Sequence, residues 1–170
     1  DREDSWCERV FAPDVDMEEQ MRKHNVPLFA LESGDYIKDF DMIGFTLMYE
    51  LCYTNVLNML DLAGIPLFSK DRTELAPIIC VGGPCACNPE PIADFVDIVF
   101  LGDGEESTNA VIDLLKECKK NGASKQEFLL KAKDITGVYV PSFYKDSYND
   151  DGTLKELVPI NDAPEKVKKS

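Results

Sequence analysis

The chain is poor in histidine and in positive charge. It has one histidine, His24, and its 18 lysine and arginine residues are outnumbered by 32 aspartate and glutamate residues, which gives a net charge of −14. Nucleic-acid phosphates and anionic membrane surfaces are bound through basic side chains, so this charge balance argues against both kinds of partner. No apolar run reaches the ~18 residues of a membrane-spanning helix, and no signal peptide opens the chain. We therefore expect a cytoplasmic protein.

The sequence also lacks a recognisable catalytic or metal-binding constellation. His24 lies at the end of a polar helix pattern, away from any nucleophile, and catalysis by such a group needs a third residue that orients it. No Gly-Lys-Ser/Thr phosphate loop is present. Cys80, Cys85 and Cys87 have a C-x4-C-x-C spacing that fits no zinc site. We predict no catalytic residue and no metal ligand, with reduced thiols throughout.

Two glycine-rich turns are the most informative features that the sequence does contain. Gly82-Gly83-Pro84 follows the apolar run 77–81, and Gly102-Asp103-Gly104 follows the apolar run 97–101. A strand, a glycine turn and a helix, twice in succession, build a ligand crevice at the carboxyl ends of parallel strands. Tight turns with no ligand give the same pattern, and the acids that follow the second turn also complement a helix dipole.

The order of apolar segments predicts an α/β fold. Met42–Leu47, Pro77–Val81 and Asp97–Leu101 are expected to be parallel strands, with helices at Glu50–Ala63 and Glu105–Asn121. Alternation of strands and helices predicts a three-layer αβα sandwich of the Rossmann-like or flavodoxin-like kind. A short helix near 89–95 and a strand at 6–11 complete this part.

The pattern changes after residue 136, where the helices end. Val138–Tyr144 and Leu154–Ile160 are predicted to be extended, and Asn149-Asp150-Asp151-Gly152 between them is typical of a hairpin turn. We divide the chain into an α/β domain at 1–136, a carboxyl-terminal β-hairpin at 137–160 and a polar linker at 161–170.

Several motifs together carry a resemblance to a known family. They are Glu8-Arg9-Val10-Phe11-Ala12-Pro13, Gly44-Phe45-Thr46-Leu47-Met48-Tyr49-Glu50, Leu60-Asp61-Leu62-Ala63-Gly64-Ile65-Pro66-Leu67, Gly82-Gly83-Pro84 with Asn88-Pro89-Glu90-Pro91, and Gly102-Asp103-Gly104-Glu105-Glu106. In this order and spacing, the chain resembles the amino-terminal, cobalamin-binding-like domain of a family of radical S-adenosylmethionine (SAM) proteins.

The resemblance implies an accessory role for this chain. In the family, a radical SAM domain of the same polypeptide follows and binds a [4Fe–4S] cluster through C-x3-C-x2-C, a spacing that this sequence lacks. Neither the cluster nor S-adenosylmethionine would be bound here. Cobalamin, or part of the substrate, would lie at the strand ends; the site residues that we predict there are Thr46, Leu47, Gly82, Gly83, Pro84, Gly102, Asp103, Gly104 and Glu105. The cobalamin-ligating Asp-x-His-x-x-Gly signature is missing, so the alternative is an interaction module without a small-molecule ligand.

The resemblance also implies that a first strand and helix are missing from this sequence. In a flavodoxin-like sheet the first strand lies inside, next to the third. We expect the strand at 6–11 to pair with Met42–Leu47, to pair with another copy of the chain in a homodimer, or to be poorly ordered, and we favour the first two outcomes.

Overall fold

The computed structural model of the protein describes residues 2–170 and has a four-stranded sheet at its centre. The strands stand in the order β1 (Met42–Thr46), β2 (Ile78–Gly82), β3 (Ile98–Phe100) and β4 (Val138–Tyr139). The first three are parallel, and β4 is antiparallel to β3. Both faces of β2 and β3 are buried, as expected for parallel strands covered by helices.

Helices cover both faces of this sheet. They are α1 (Val15–His24), α2 (Tyr53–Leu62), α3 (Gly104–Lys120) and α4 (Lys125–Ala132). One apolar core joins α1 and α2 to one face, and a second joins α3 and α4 to the other. The predicted three-layer α/β fold is therefore confirmed. Two helix predictions need correction: residues 50–52 form a 3-10 turn before α2, and Glu90–Phe95 is a 3-10 helix. Within residues 2–170, no helix is long and apolar enough to cross a membrane.

A separate antiparallel hairpin follows the sheet. It consists of β5 (Tyr144–Tyr148) and β6 (Leu154–Pro159). From the sequence, we predicted that the first strand of the hairpin covers residues 138–144. The start of that prediction is wrong, because Val138 and Tyr139 pair with β3. The residues after the hairpin have no regular structure, but Ile160 and Ala163 pack against the second core and Val167 packs against the first. This last segment therefore follows the surface of the domain closely.

The predicted strand at residues 6–11 is not formed. Leu31 donates its backbone N–H to the Arg9 carbonyl at 2.9 Å, and Glu8 accepts the backbone N–H of Ser33 at 3.0 Å. These polar contacts hold the segment in an extended conformation beside residues 31–33, and most of its apolar side chains stay exposed. Pairing of this segment with β1, one of the two outcomes that we favoured, is therefore wrong.

Strand β1 consequently has an open outer edge. Ile78 donates its backbone N–H to the Asp41 carbonyl at 3.0 Å, and Leu47 donates its backbone N–H to the Gly82 carbonyl at 2.7 Å. The backbone N–H and C=O groups of the odd-numbered residues from 41 to 47 therefore point towards β2. The backbone groups of the alternate residues, 42, 44 and 46, point the other way, and no strand in the described part of the chain pairs with them. Homodimer formation, the other outcome that we favoured for the segment at 6–11, stays a prediction, which light scattering of the purified protein tests.

A cluster of buried charges fixes the amino-terminal end of the sheet. Asp97, just before β3, accepts hydrogen bonds from Arg72 Nη2 at 3.0 Å and from the Ile79 backbone at 2.8 Å, and Lys125 Nζ lies 2.7 Å from its Oδ1. Ser69 Oγ also donates to this carboxylate. Burial lowers the pKa of Lys125, and Asp97 opposes that effect. The cluster ties the 69–72 turn, β2, β3 and α4 together around one carboxylate.

Candidate functional site

The predicted site residues lie together at one edge of the sheet, which we call the carboxyl edge. Thr46 ends β1 and Leu47 follows it. Gly82 ends β2, and Gly83 and Pro84 follow. Leu101, Gly102 and Asp103 separate β3 from α3. Gly104 and Glu105 are the first two residues of α3. The edge is built in this way because parallel strands end on the same side of a sheet, as the sequence led us to expect.

At the first turn, the glycine is required by contacts within the chain. Gly83 has a φ of +100°, and a Cβ atom there would lie 3.0 Å from the Leu47 carbonyl oxygen and 3.1 Å from Cγ2 of Thr46. The same carbonyl accepts the Cys85 backbone N–H at 3.0 Å. Leu47 is fully buried, whereas Thr46, Gly83 and Pro84 are exposed. A ligand at this turn would therefore contact these three residues and not Leu47.

At the second turn, the chain's own last residues cover the backbone. Ser170 donates its N–H to the Leu101 carbonyl at 3.1 Å, and its Oγ donates to the Asp103 carbonyl at 2.5 Å. Gly137 donates to the Lys168 carbonyl at 3.0 Å. A Cβ atom at Gly102 would lie 2.5 Å from the Ser170 carbonyl oxygen. The space that the sequence assigned to a ligand at Gly102 is filled here by residues 168–170.

Acidic side chains surround the start of α3. Asp103 is the N-cap residue, although its side chain makes no capping hydrogen bond, and Glu105 and Glu106 lie in the first turn. All three are exposed. Negative charge at this position stabilises the helix dipole, and it opposes the binding of a phosphate at the helix N-terminus. The acids at this turn therefore have a structural role that needs no ligand.

Cys52, Tyr53 and Cys85 lie close to the first glycine turn, where they are partly buried against the first core. Cys52 Sγ donates to the Tyr49 carbonyl at 2.8 Å, and Tyr53 Oη donates to the Asn88 carbonyl at 3.4 Å. Burial raises the pKa of Cys85, and the carboxylate of Glu50 raises it further, so the thiol stays protonated at neutral pH. Within residues 2–170, no group of three or more His, Cys, Asp or Glu side chains is placed to hold a metal ion.

An exposed apolar patch lies directly after β1. Met48, Tyr49 and Leu51 are all exposed, and Leu51 exposes 81% of its surface. None of the three was among the predicted site residues, and Leu51 lay within the predicted helix Glu50–Ala63. His24 lies far from this patch in sequence and is exposed in the last turn of α1.

The first 141 residues match the model of a family described as radical SAM proteins, N-terminal. The chain belongs to this family. An uncharacterized protein of Methanocaldococcus jannaschii is 38% identical to the chain over 89 residues, which is 51% of this chain and 18% of that protein. The chain thus spans less than a fifth of its relative's length. No solved structure matches the chain. Family membership supports an accessory, N-terminal domain of a radical SAM protein.

Proposed function

We propose that this chain is a non-catalytic domain whose carboxyl edge contacts the radical SAM domain of the same polypeptide. The exposed patch of Met48, Tyr49 and Leu51 is the observation that supports this proposal most strongly. Exposed apolar groups that lie next to each other mark interaction surfaces, because their removal from water is favourable. Residues 168–170 lie at the same edge, against Gly102 and Gly137. The non-catalytic role rests on the single, exposed His24 and on the missing cluster motif.

Hydrogen exchange tests this contact. Backbone amides of residues 46–51 should exchange more slowly in the whole polypeptide than in this chain alone, because the radical SAM domain would cover them. Leu51→Glu should restore fast exchange in the whole polypeptide and leave the isolated chain unchanged. Leu130→Glu replaces another exposed leucine, on α4, and should have neither effect. Equal exchange of residues 46–51 in both samples would contradict the proposal.

A corrinoid, or part of the substrate, between the two domains is our second proposal. The exposed residues Thr46, Gly83 and Pro84 would contact such a group. Its fit is incomplete at the second turn, because Ser170 occupies the space beside Gly102 and would have to leave. We therefore place the corrinoid over the ends of β1 and β2. The chain contributes shape and backbone polar groups there, and no histidine ligand.

Hydroxocobalamin separates this proposal from an interaction module without a ligand. The corrinoid should co-elute with the protein in size-exclusion chromatography, with its visible spectrum under the protein peak. Thr46→Trp should abolish co-elution by filling the site. Thr73→Trp is the matched control, because Thr73 is an exposed threonine at the opposite end of the sheet. Absence of the spectrum from the wild-type peak, in this chain and in the whole polypeptide, would leave the interaction module as the function.

A further inference from the structure

A groove of about 720 Å³ separates the hairpin from the body of the domain. Arg72 and Lys125 lie in its floor, where they bind Asp97 at the amino-terminal end of the sheet. The groove is therefore at the opposite end of the strands from the carboxyl edge. Its volume is in the range of sites that enclose small ligands or several side chains. The function proposed for the carboxyl edge makes no use of this groove.

The hairpin turns an apolar face towards the groove. Tyr148 pairs with Leu154, and Asp146 pairs with Leu157, so these four side chains lie on one face of the hairpin and line the groove. Tyr148 and Leu154 are 60% and 51% exposed. The opposite face carries Lys145, Ser147, Glu156 and Val158. Two-stranded hairpins are marginally stable alone, and this one has an apolar face that the domain covers only in part.

The wall across from the hairpin supplies one aromatic ring and several charges. Phe68 is partly exposed there, and its ring lies 5.1 Å from Lys70 Nζ. The acids that line the groove, Glu90, Asp94 and Asp146, are all exposed.

The accessible charge of the groove is therefore negative. Arg72 and Lys125 are buried, and their hydrogen bonds go to Asp97 and to backbone carbonyls, so they offer little to a ligand. Lys70 is then the one exposed cation among the groove-lining residues, against three exposed carboxylates.

We propose that this groove binds a peptide segment of a partner protein that alternates apolar and basic side chains. Apolar side chains of the segment would pack between Phe68 and the hairpin residues Tyr148, Leu154 and Leu157. Its lysine or arginine side chains would pair with Glu90, Asp94 and Asp146. Charge complementarity selects this occupant, because a phosphate-bearing or acidic partner would meet three carboxylates at the entrance. The apolar face supplies most of the affinity, since exposed ion pairs contribute little.

A labelled peptide of alternating leucine and lysine is the probe, and fluorescence anisotropy in 0.15 M salt is the measurement. Two comparison peptides replace leucine with serine or lysine with glutamate. We expect the leucine–lysine peptide to bind at least about tenfold more tightly than either, a ratio that corresponds to ~1.4 kcal/mol. Equal binding of the serine–lysine peptide would show attraction by net charge alone and would overturn the proposal, as would absence of binding.

Variants of the hairpin locate the site. Tyr148→Ser combined with Leu157→Ser should weaken binding of the leucine–lysine peptide about tenfold, and Asp146→Lys should weaken it in a salt-dependent way. Val158→Ser alters the opposite face of the same hairpin and should leave the affinity unchanged. A photo-crosslinking group in the peptide should label residues 68 and 148 of the wild-type protein. Because this measurement uses the wild-type protein, it does not depend on how the variants fold. Labelling elsewhere, or equal weakening by Val158→Ser, would overturn the proposal.

Discussion

Asp97→Ala is expected to lower the free energy of unfolding by about 3–5 kcal/mol, because it leaves two buried cations without their shared carboxylate. Arg72, Asp97 and Lys125 are all buried, so water has little access to replace the lost partner. Typical domains have about 5–15 kcal/mol of stability in total, so the variant should unfold at a much lower urea concentration. The hydrogen bond from the Ile79 backbone is lost as well.

Two further variants make this prediction specific. Asp94→Ala removes an exposed carboxylate from the segment between β2 and β3 that also contains Asp97. It should change the free energy of unfolding by less than about 0.5 kcal/mol. Lys125→Met removes one of the two cations and keeps the ion pair of Arg72 with Asp97, so it should cost less than Asp97→Ala. A loss below about 1 kcal/mol for Asp97→Ala would mean that water or rearranged side chains solvate the two cations.

Gly137→Ala is expected to destabilise the chain and to release its last residues. Gly137 has a φ of +82°, and a Cβ atom there would lie 2.7 Å from Ser170 Oγ and 3.1 Å from the Leu101 carbonyl oxygen. The positive φ alone costs an L-residue roughly 1–2 kcal/mol. The clash with Ser170 adds to this cost and should free the amide of Ser170, which now donates to Leu101. Hydrogen exchange at residues 168–170 and urea unfolding measure the two effects.

Gly152→Ala is the matched control for this variant. Gly152 has a φ of +81°, and a Cβ atom there would have no neighbour within 4 Å. The two alanine variants therefore share the backbone strain, and they differ in the contacts with Ser170 and with the Leu101 carbonyl oxygen. We expect unchanged exchange at residues 168–170 in Gly152→Ala. If both variants exchange alike at these residues, residues 168–170 do not depend on the space beside Gly137.

The sequence predicted the regular elements wherever local pattern and burial agree. Residues 78–82 and 98–100 are strands with two buried faces, and their continuous apolar runs were read correctly. The helix predicted at Glu105–Asn121 is formed as α3, where Val111, Leu115 and Cys118 are buried and Leu114 is partly buried. The segment at residues 6–11 has similar apolar residues, but its backbone bonds to Leu31, and no local pattern reveals which partner an extended segment will find.

The contacts that define the carboxyl edge were harder to predict because they join distant residues. Leu47 follows a strand, and its burial depends on a turn 36 residues away. Residues 168–170 are polar, and their composition is typical of a linker, yet they lie against Gly102 and Gly137. Asp97 was read as the start of a strand, although its role depends on Arg72 and Lys125. In each case the residue could be identified in the sequence, but the residue that it contacts is determined by the tertiary fold.

The open edge of β1 also has a consequence for colloidal stability. Natural sheets often protect such an edge with lysine or proline, and Met42–Thr46 contains neither. At pH 7 the net charge of −14 keeps copies of the chain apart by repulsion. Near the isoelectric point, at about pH 4.4, that repulsion vanishes while the unpaired N–H and C=O groups remain. We therefore expect the chain to precipitate more readily near pH 4.4 than at pH 7, with pairing along the β1 edge as the first contact between copies.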